Sequence, residues 1–228
     1  MYRYETHLHT KPVSACASTT VRETLAFYKK IGYDGIFITN HFIDGNISVD
    51  RSLPYEDQIN FYFSDYEEAL ALADEYGIKV FLGVEMSYGG SDFLVYGLNK
   101  EWFLAHPEIV NMKKSDELAL MRESGAFIIH AHPFREAAYI DHIRLFPRHI
   151  DGVEVINANR RDFENHMAKL YATNYGFIET AGSDNHSAHA QKMLAGVVSD
   201  EPINSVEDFI EFAKTGKFKV FSMPNPTL

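Results

Sequence analysis

The chain alternates short, densely apolar runs with longer stretches in which apolar residues return every three or four positions. Runs of the first kind read as buried strands, and stretches of the second kind as amphipathic helices. Strands are expected over residues 2–9, Gly35–Thr39, Lys79–Ser87, Phe93–Tyr96, Gly125–Ile129, Gly152–Ile156, Phe177–Thr180 and, at the end, Phe218–Phe221. Helices are expected from Thr20 to Lys30, from Ser64 to Gly77, over Ser115–Glu123, over 162–175 and from Ser205 to Ala213. Thr20-x-x-Glu23 and Ser64-x-x-Glu67 have capping-box spacing, and Gly32 and Gly77 stand where helices stop. Gly89-Gly90 turns one strand into the next as a hairpin. Residues 99–113 read as irregular or weakly helical, 136–148 as one or two short helical pieces, and 189–197 as helix or loop. Pro224 and Pro226 leave the tail irregular. Residues 42–63 form a long excursion with turns at Asp44-Gly45-Asn46 and Leu53-Pro54. It is either a lid or binding wall, or a surface insertion packed by Phe61-Tyr62-Phe63.

Strands alternating with helices argue for one α/β domain over residues 1–228 with a mostly parallel sheet. Candidate metal-binding residues follow at least four of the apolar runs. A closed β/α barrel gathers its strand ends on one face, whereas an open sheet leaves distant strand ends apart. The expectation is therefore a TIM-like barrel of about seven strands.

His7-Leu8-His9 puts two imidazoles on one face of an extended strand, because side chains alternate there. Other apolar runs end in Thr39-Asn40-His41, Gly83-Val84-Glu85, His130-Ala131-His132-Pro133 and Ser183-Asp184-Asn185-His186. Imidazoles and carboxylates are the ligand set of Zn, Mn and Fe sites. Glu85 follows Phe81-Leu82-Gly83-Val84, where a carboxylate needs a partner to offset its desolvation. A satisfied core acid and a metal ligand are both open for it, and the ligand explains it better. His106, His142, His149, His166 and His189 read as structural or exposed. His130 is either a further ligand or a group that orients one, and Cys16 is open between ligand, small buried residue and neither. Arg135 and Arg160 have the guanidinium fork that matches phosphate oxygens, set against the plainer reading of solvated surface arginines.

Composition narrows the setting. With 46% hydrophobic and 23% charged residues the chain reads as a soluble globular protein. A net charge of -11 argues against a broad nucleic-acid-binding face and leaves a local basic pocket open. The single cysteine rules out an intrachain disulfide and suits a reducing compartment. No apolar run reaches membrane-spanning length and none marks a signal peptide, so the cytoplasm is the expected location. No glycine-rich phosphate loop, G-x-S-x-G elbow or C-x-x-C pair occurs, which removes three common chemistries.

These motifs resemble those of the PHP family, the polymerase and histidinol phosphatase domain, over nearly the whole chain. His7-Leu8-His9 is similar to its opening H-x-H motif. Ile38-Thr39-Asn40-His41 is similar to its T-D-H motif, with Asn40 in place of aspartate. Glu85 matches the bridging carboxylate, His132 the histidine of the H-P motif, and Ser183-Asp184-Asn185-His186 the closing S-D-x-H motif. The resemblance implies a distorted (β/α)7 barrel with two or three divalent ions (Zn, Mn or Fe) at the strand C-terminal ends. It implies that His7, His9, Glu85 and Asp184 hold one ion, that Glu85 and His132 share a second, and that His41 and His186 hold a third. Cys16 and Ser14 stand near a loop position where the family often has histidine or aspartate. No histidine stands near Gly97-Leu98, where a second-site ligand is usual.

The activity so implied is hydrolysis of a phosphate ester, with Arg135 and Arg160 on the phosphate oxygens and Glu85, His41, His186 and Arg135 as the catalytic set. A small phosphomonoester, such as histidinol phosphate or a nucleotide phosphate, suits a stand-alone acidic chain. A phosphodiesterase or exonuclease acting on short nucleic acid is one alternative. A metal-binding regulatory domain without catalysis is another.

Overall fold

In a computed structural model that describes residues 1–228, the apolar runs form two five-stranded sheets. The first contains β1 (Tyr2–Leu8), β2 (Gly35–Ile38), β3 (Lys79–Leu82), β9 (Met193–Ser199) and β10 (Phe218–Pro224), in the order β10-β9-β1-β2-β3. The second contains β4 (Val84–Tyr88), β5 (Ser91–Tyr96), β6 (Phe127–Ala131), β7 (Gly152–Asn157) and β8 (Ile178–Gly182), in that order. Each sheet has two parallel and two antiparallel pairings, so the mostly parallel sheet expected from the pattern holds for half of them. The two ladders do not close into a (β/α)7 barrel. They meet through isolated bridges between Leu8 and Asn185 and between His41 and Glu85, both at ends that carry candidate ligands.

The expected strand over 79–87 crosses from one sheet to the other at Gly83. A Cβ there would lie 2.6 Å from Thr39 Cγ2 and 2.9 Å from Tyr96 Cε1, so only glycine lets the chain pass. This crossing carries Glu85 away from the first sheet and turns it back toward His7 and His41.

Six α-helices connect the strands: α1 (Val21–Lys30), α2 (Tyr55–Tyr76), α3 (Lys100–Ala105), α4 (Lys114–Glu123), α5 (Asp162–Tyr175) and α6 (Val206–Thr215). The Thr20–Glu23 capping box and the Ser205 cap form as the sequence predicts. Helix α2 does not start at Ser64. It starts behind Pro54, and Ile59, Tyr62 and Phe63 bury one face of its extra turns. Ser64 donates to Phe61 O within the helix instead of capping it. The loop is therefore residues 42–54, and the aromatic run belongs to the helix.

Residues 189–197 lead into β9, where Leu194, Ala195 and Val197 lie fully buried between β1 and β10. Residues 136–148 form turns and no helix. Other elements satisfy this segment's backbone: Glu136 N donates to Glu164 Oε1 at 2.8 Å, and Ser91 Oγ donates to Arg144 O at 3.3 Å. Beneath the ligand-bearing ends, Phe37, Tyr96 and Phe209 pack together, and Tyr96 OH donates to Thr6 O at 2.7 Å. The end of β1 is thereby fixed from below.

Candidate metal centre

β1 carries His7 and releases His9 just past its end, while Leu8 between them points into an apolar cluster. His41 follows β2, Glu85 lies in β4, His132 follows β6, and Asp184 and His186 follow β8. These seven side chains converge. His7 Nε2 lies 3.2 Å from Glu85 Oε1 and 3.5 Å from Asp184 Oδ1. His9 Nε2 lies 3.3 Å from Glu85 Oε2 and 3.4 Å from Asp184 Oδ1. His132 Nε2 approaches Glu85 Oε1 to 3.4 Å, and His41 Nδ1 approaches Glu85 Oε2 to 2.7 Å. Three overlapping ligand sets result: His7, His9 and Asp184; His7, Glu85 and His132; and His9, His41 and His186.

The backbone is strained where it delivers two of these groups. His132 (φ 26°) and Asp184 (φ 52°) are the only non-glycine residues with positive φ. That conformation is costly for a histidine and persists where the surroundings fix it. Here His132 N donates to Glu154 Oε2 at 3.0 Å. Gly182, just before the Asp184 loop, leaves room for His7, whose Cβ would lie 2.4 Å from a Cβ at that position.

The hydrogen bonds fix which ring nitrogens carry protons. Glu154 is fully buried, and its Oε1 accepts from His7 Nδ1 at 2.8 Å. Ser14 Oγ donates to Asn40 Oδ1 at 2.9 Å, so the 3.1 Å contact with His9 requires His9 Nδ1–H to donate. Both rings then present Nε2 lone pairs, and these nitrogens face each other at 3.3 Å. Glu85 Oε2 is buried with no hydrogen-bond partner, despite its closeness to His41. Opposed lone pairs and an orphaned carboxylate oxygen are a donor set that a divalent cation satisfies.

Electrostatics agree. Burial pushes the Glu85 carboxyl up, but His41, His7 and His9 together hold it well below the usual carboxylate range. Asp184 is held low against burial by His7 and His9 among others. Burial lowers the His7 ring, yet Glu154, Asp184 and Glu85 outweigh it and raise the ring well above the ordinary histidine value.

Sequence reasoning missed four participants. Glu154 accepts from His7, from His132 N and, at 2.9 Å, from Asn157 Nδ2. Asn157 also reaches Asp184 Oδ2 at 3.3 Å, so one amide ties two carboxylates together. Asp65 explains Asn40: its Oδ2 accepts from Asn40 Nδ2 at 3.2 Å and from Thr10 Oγ1 at 2.7 Å. An aspartate at position 40 would set two carboxylates against each other. The fourth, Asp92, lies 3.8 Å from His132 Nε2.

Other candidates fall outside the cluster. His130 is fully buried against Phe93, with neither ring nitrogen partnered, and burial brings it down to about 3. It is a neutral core residue on the opposite side of β6 from His132. His106 stacks on Trp102 and donates to its carbonyl. Arg135, Arg160 and Cys16 do line the open side, a cavity of about 500 Å³ that also exposes His41, Glu85, His132 and His186. Arg135 Nη1 is engaged by Asp92 at 3.2 Å, whereas Arg160 Nε has no partner. The Cys16 thiol is pushed up by burial and pulled down further by His186 and His41, to about 6.

No family profile matches the sequence, and no curated protein matches it. Solved structures do match in shape. A two-domain protein from Bacteroides vulgatus, described as containing a predicted PHP-like metal-dependent phosphoesterase, superposes with a TM-score of 0.68 at 14% identity over 96% of this chain. The fold is PHP-like. This chain spans 64% of the length of that protein. A putative metal-dependent phosphoesterase from Bifidobacterium adolescentis gives a TM-score of 0.56 at 13% identity, covering 91% of this chain and 94% of its own. An amidohydrolase from Chromobacterium violaceum with bound sulfate and no metal gives 0.55 at 16% identity, covering 97% and 98%. In this PHP-like fold the converging ends of β1, β2, β4, β6 and β8 form the candidate centre. No helix is long and apolar enough to cross a membrane.

Proposed function

We propose that the chain is a metal-dependent phosphoesterase acting on a small phosphomonoester, such as histidinol phosphate or a nucleotide phosphate. The observation that carries this reading is the meeting of His7, His9, Glu85 and Asp184, with their ring nitrogens and carboxylate oxygens 3.2–3.5 Å apart. These four residues would hold one ion, Glu85 and His132 a second, and His41 and His186 a third, with Zn, Mn and Fe all suited to the donors. When bound, such ions draw charge from phosphoryl oxygens and make water acidic enough to attack at neutral pH. Glu154 and Ser14 keep the Nδ1 protons of His7 and His9 away from the cavity, so the Nε2 lone pairs stay available there. Arg160 offers its guanidinium to the phosphate oxygens from the cavity wall. A cytoplasmic setting belongs to the same proposal.

A second reading, a phosphodiesterase on short nucleic acid, has one observation in its favour. A neighbouring cavity of about 560 Å³ shares Asn159, Arg160 and His186 with the first and adds Arg161 and Lys192. The net charge of -11 weighs against long nucleic acid. The test is phosphate release from a phosphomonoester panel, run beside bis-p-nitrophenyl phosphate, with protein loaded with Zn, Mn or Fe. Release from a monoester, abolished in Glu85→Gln, supports the first reading. Cleavage of the diester alone selects the second, and inactivity on both with full metal overturns the enzyme proposal.

A further inference from the structure

Asp92 is not among the residues assigned to an ion so far, yet it is a deeply placed carboxylate facing the cavity. It lies on β5 opposite Ala131 in the antiparallel pairing and is 4% exposed. Its Oδ2 has two nitrogen neighbours: Arg135 Nη1 at 3.2 Å and His132 Nε2 at 3.8 Å. His132 Nε2 lies 3.4 Å from Glu85 Oε1 on its other side. Donors that share one ion at about 2.0–2.2 Å each stand roughly 3–4 Å apart. Both spans at His132 meet that condition, whereas Asp92 stands outside the three preformed ligand sets, so joining Glu85 and His132 around one ion requires its carboxylate to turn away from Arg135. Arg135 competes for it, because the guanidinium already uses the oxygen nearest His132.

We propose that Asp92 is the third protein ligand of an ion held by Glu85 and His132, and that it exchanges between that ion and Arg135. This rests on the metal-centre reading above. A carboxylate committed to a divalent ion no longer neutralises a guanidinium beside it. Arg135 is then released toward the cavity it lines together with Arg160. Two arginines rather than one then meet a phosphate, so loading of this ion and recognition of the substrate anion are coupled through one side chain. Arg135 opposes the ion when the substrate site is empty and binds phosphate when the ion is present.

The test is a calorimetric titration of chelator-stripped protein with Mn2+ and separately with Zn2+, with the ions retained counted by elemental mass spectrometry. The wild-type chain is compared with Asp92→Asn and Arg135→Ala, and circular dichroism checks that each is folded. The expected result is that Asp92→Asn loses one ion or binds it about 10-fold or more weakly, while Arg135→Ala binds that same ion more tightly. The opposite signs separate a ligand from a residue that only anchors Arg135. Unchanged stoichiometry and affinity in Asp92→Asn, or weaker binding in Arg135→Ala, overturns the inference and leaves the centre at His7, His9 and Asp184 standing. A wild-type chain that retains a single ion also overturns it. Should Asp92→Asn fail to fold, the sign of the Arg135→Ala effect decides. A wild-type chain that binds no ion overturns the metal-centre reading as well.

Discussion

Strands β4 and β7 each set one glutamate in an apolar run, and both carboxylates are as buried as any side chain here: Glu85 is 1% exposed and Glu154 0%. Their partners differ. Glu154 accepts three hydrogen bonds, from an imidazole, a backbone amide and a side-chain amide. Glu85 is surrounded by the rings of His7, His9, His41 and His132, and its Oε2 accepts no hydrogen bond. A buried carboxylate met by well-aimed donors is a scaffold, because its desolvation is offset within the fold. One met only by ring nitrogens is completed by a cation. The same residue type in the same kind of strand therefore does two jobs, and the partners decide which.

Four substitutions test that contrast. Glu85→Gln removes the negative charge on which four rings converge. It should abolish phosphate release and lose bound metal, an effect beyond the roughly 10–100-fold expected of an outer partner; retained activity with full metal would end the distinction. Glu154→Gln offers one oxygen to donors on two sides and turns an amide N–H toward one of them. Metal affinity in a titration should fall by about 10–100-fold while the ion count at saturation is kept. Asn40→Asp sets a carboxylate against Asp65 with no cation between, and thermal unfolding should show a loss of about 1–3 kcal/mol. Glu5 is a second scaffold carboxylate, accepting from His7 N at 2.9 Å, Ser183 N at 2.8 Å and Tyr28 OH at 2.9 Å. Glutamine can keep the two backbone contacts on one oxygen, so Glu5→Gln should cost less than about 1.5 kcal/mol and leave the ion count unchanged.

Much of the centre was legible because its signals are local. The two-residue spacing of His7 and His9 forces both onto one face of a strand, and Asp184 and His186 repeat it past β8. The desolvation argument that singled out Glu85 applies equally to Glu154 in Gly152-Val153-Glu154-Val155-Ile156. It went unused there because no histidine marks that strand, and the partner that explains Glu154 lies on β1. Asp92 is illegible in the sequence because only the long-range β5–β6 register brings it beside His132. Asn40 looks like a departure until Asp65, about three turns into α2, supplies its reason. The start of that helix is hard to read because Ser64-x-x-Glu67 imitates a cap, while Leu53-Pro54 has the composition of a turn although proline is also typical of helix starts. The closed barrel was over-read: strand ends can converge through two bridged open sheets, and the apolar pattern does not distinguish the two. β9 was missed because a buried run containing Gly196 carries no alternation to read.

The central claim is that the buried rings and carboxylates exist to hold metal. It is tested most directly by elemental mass spectrometry of freshly purified, untagged protein, without added metal or chelator, beside Glu85→Gln handled identically. The account predicts about two or three equivalents of Zn, Mn or Fe in the wild-type chain and a marked loss in the variant. Less than about half an equivalent in the wild type, unchanged after anaerobic purification and reconstitution, would contradict it.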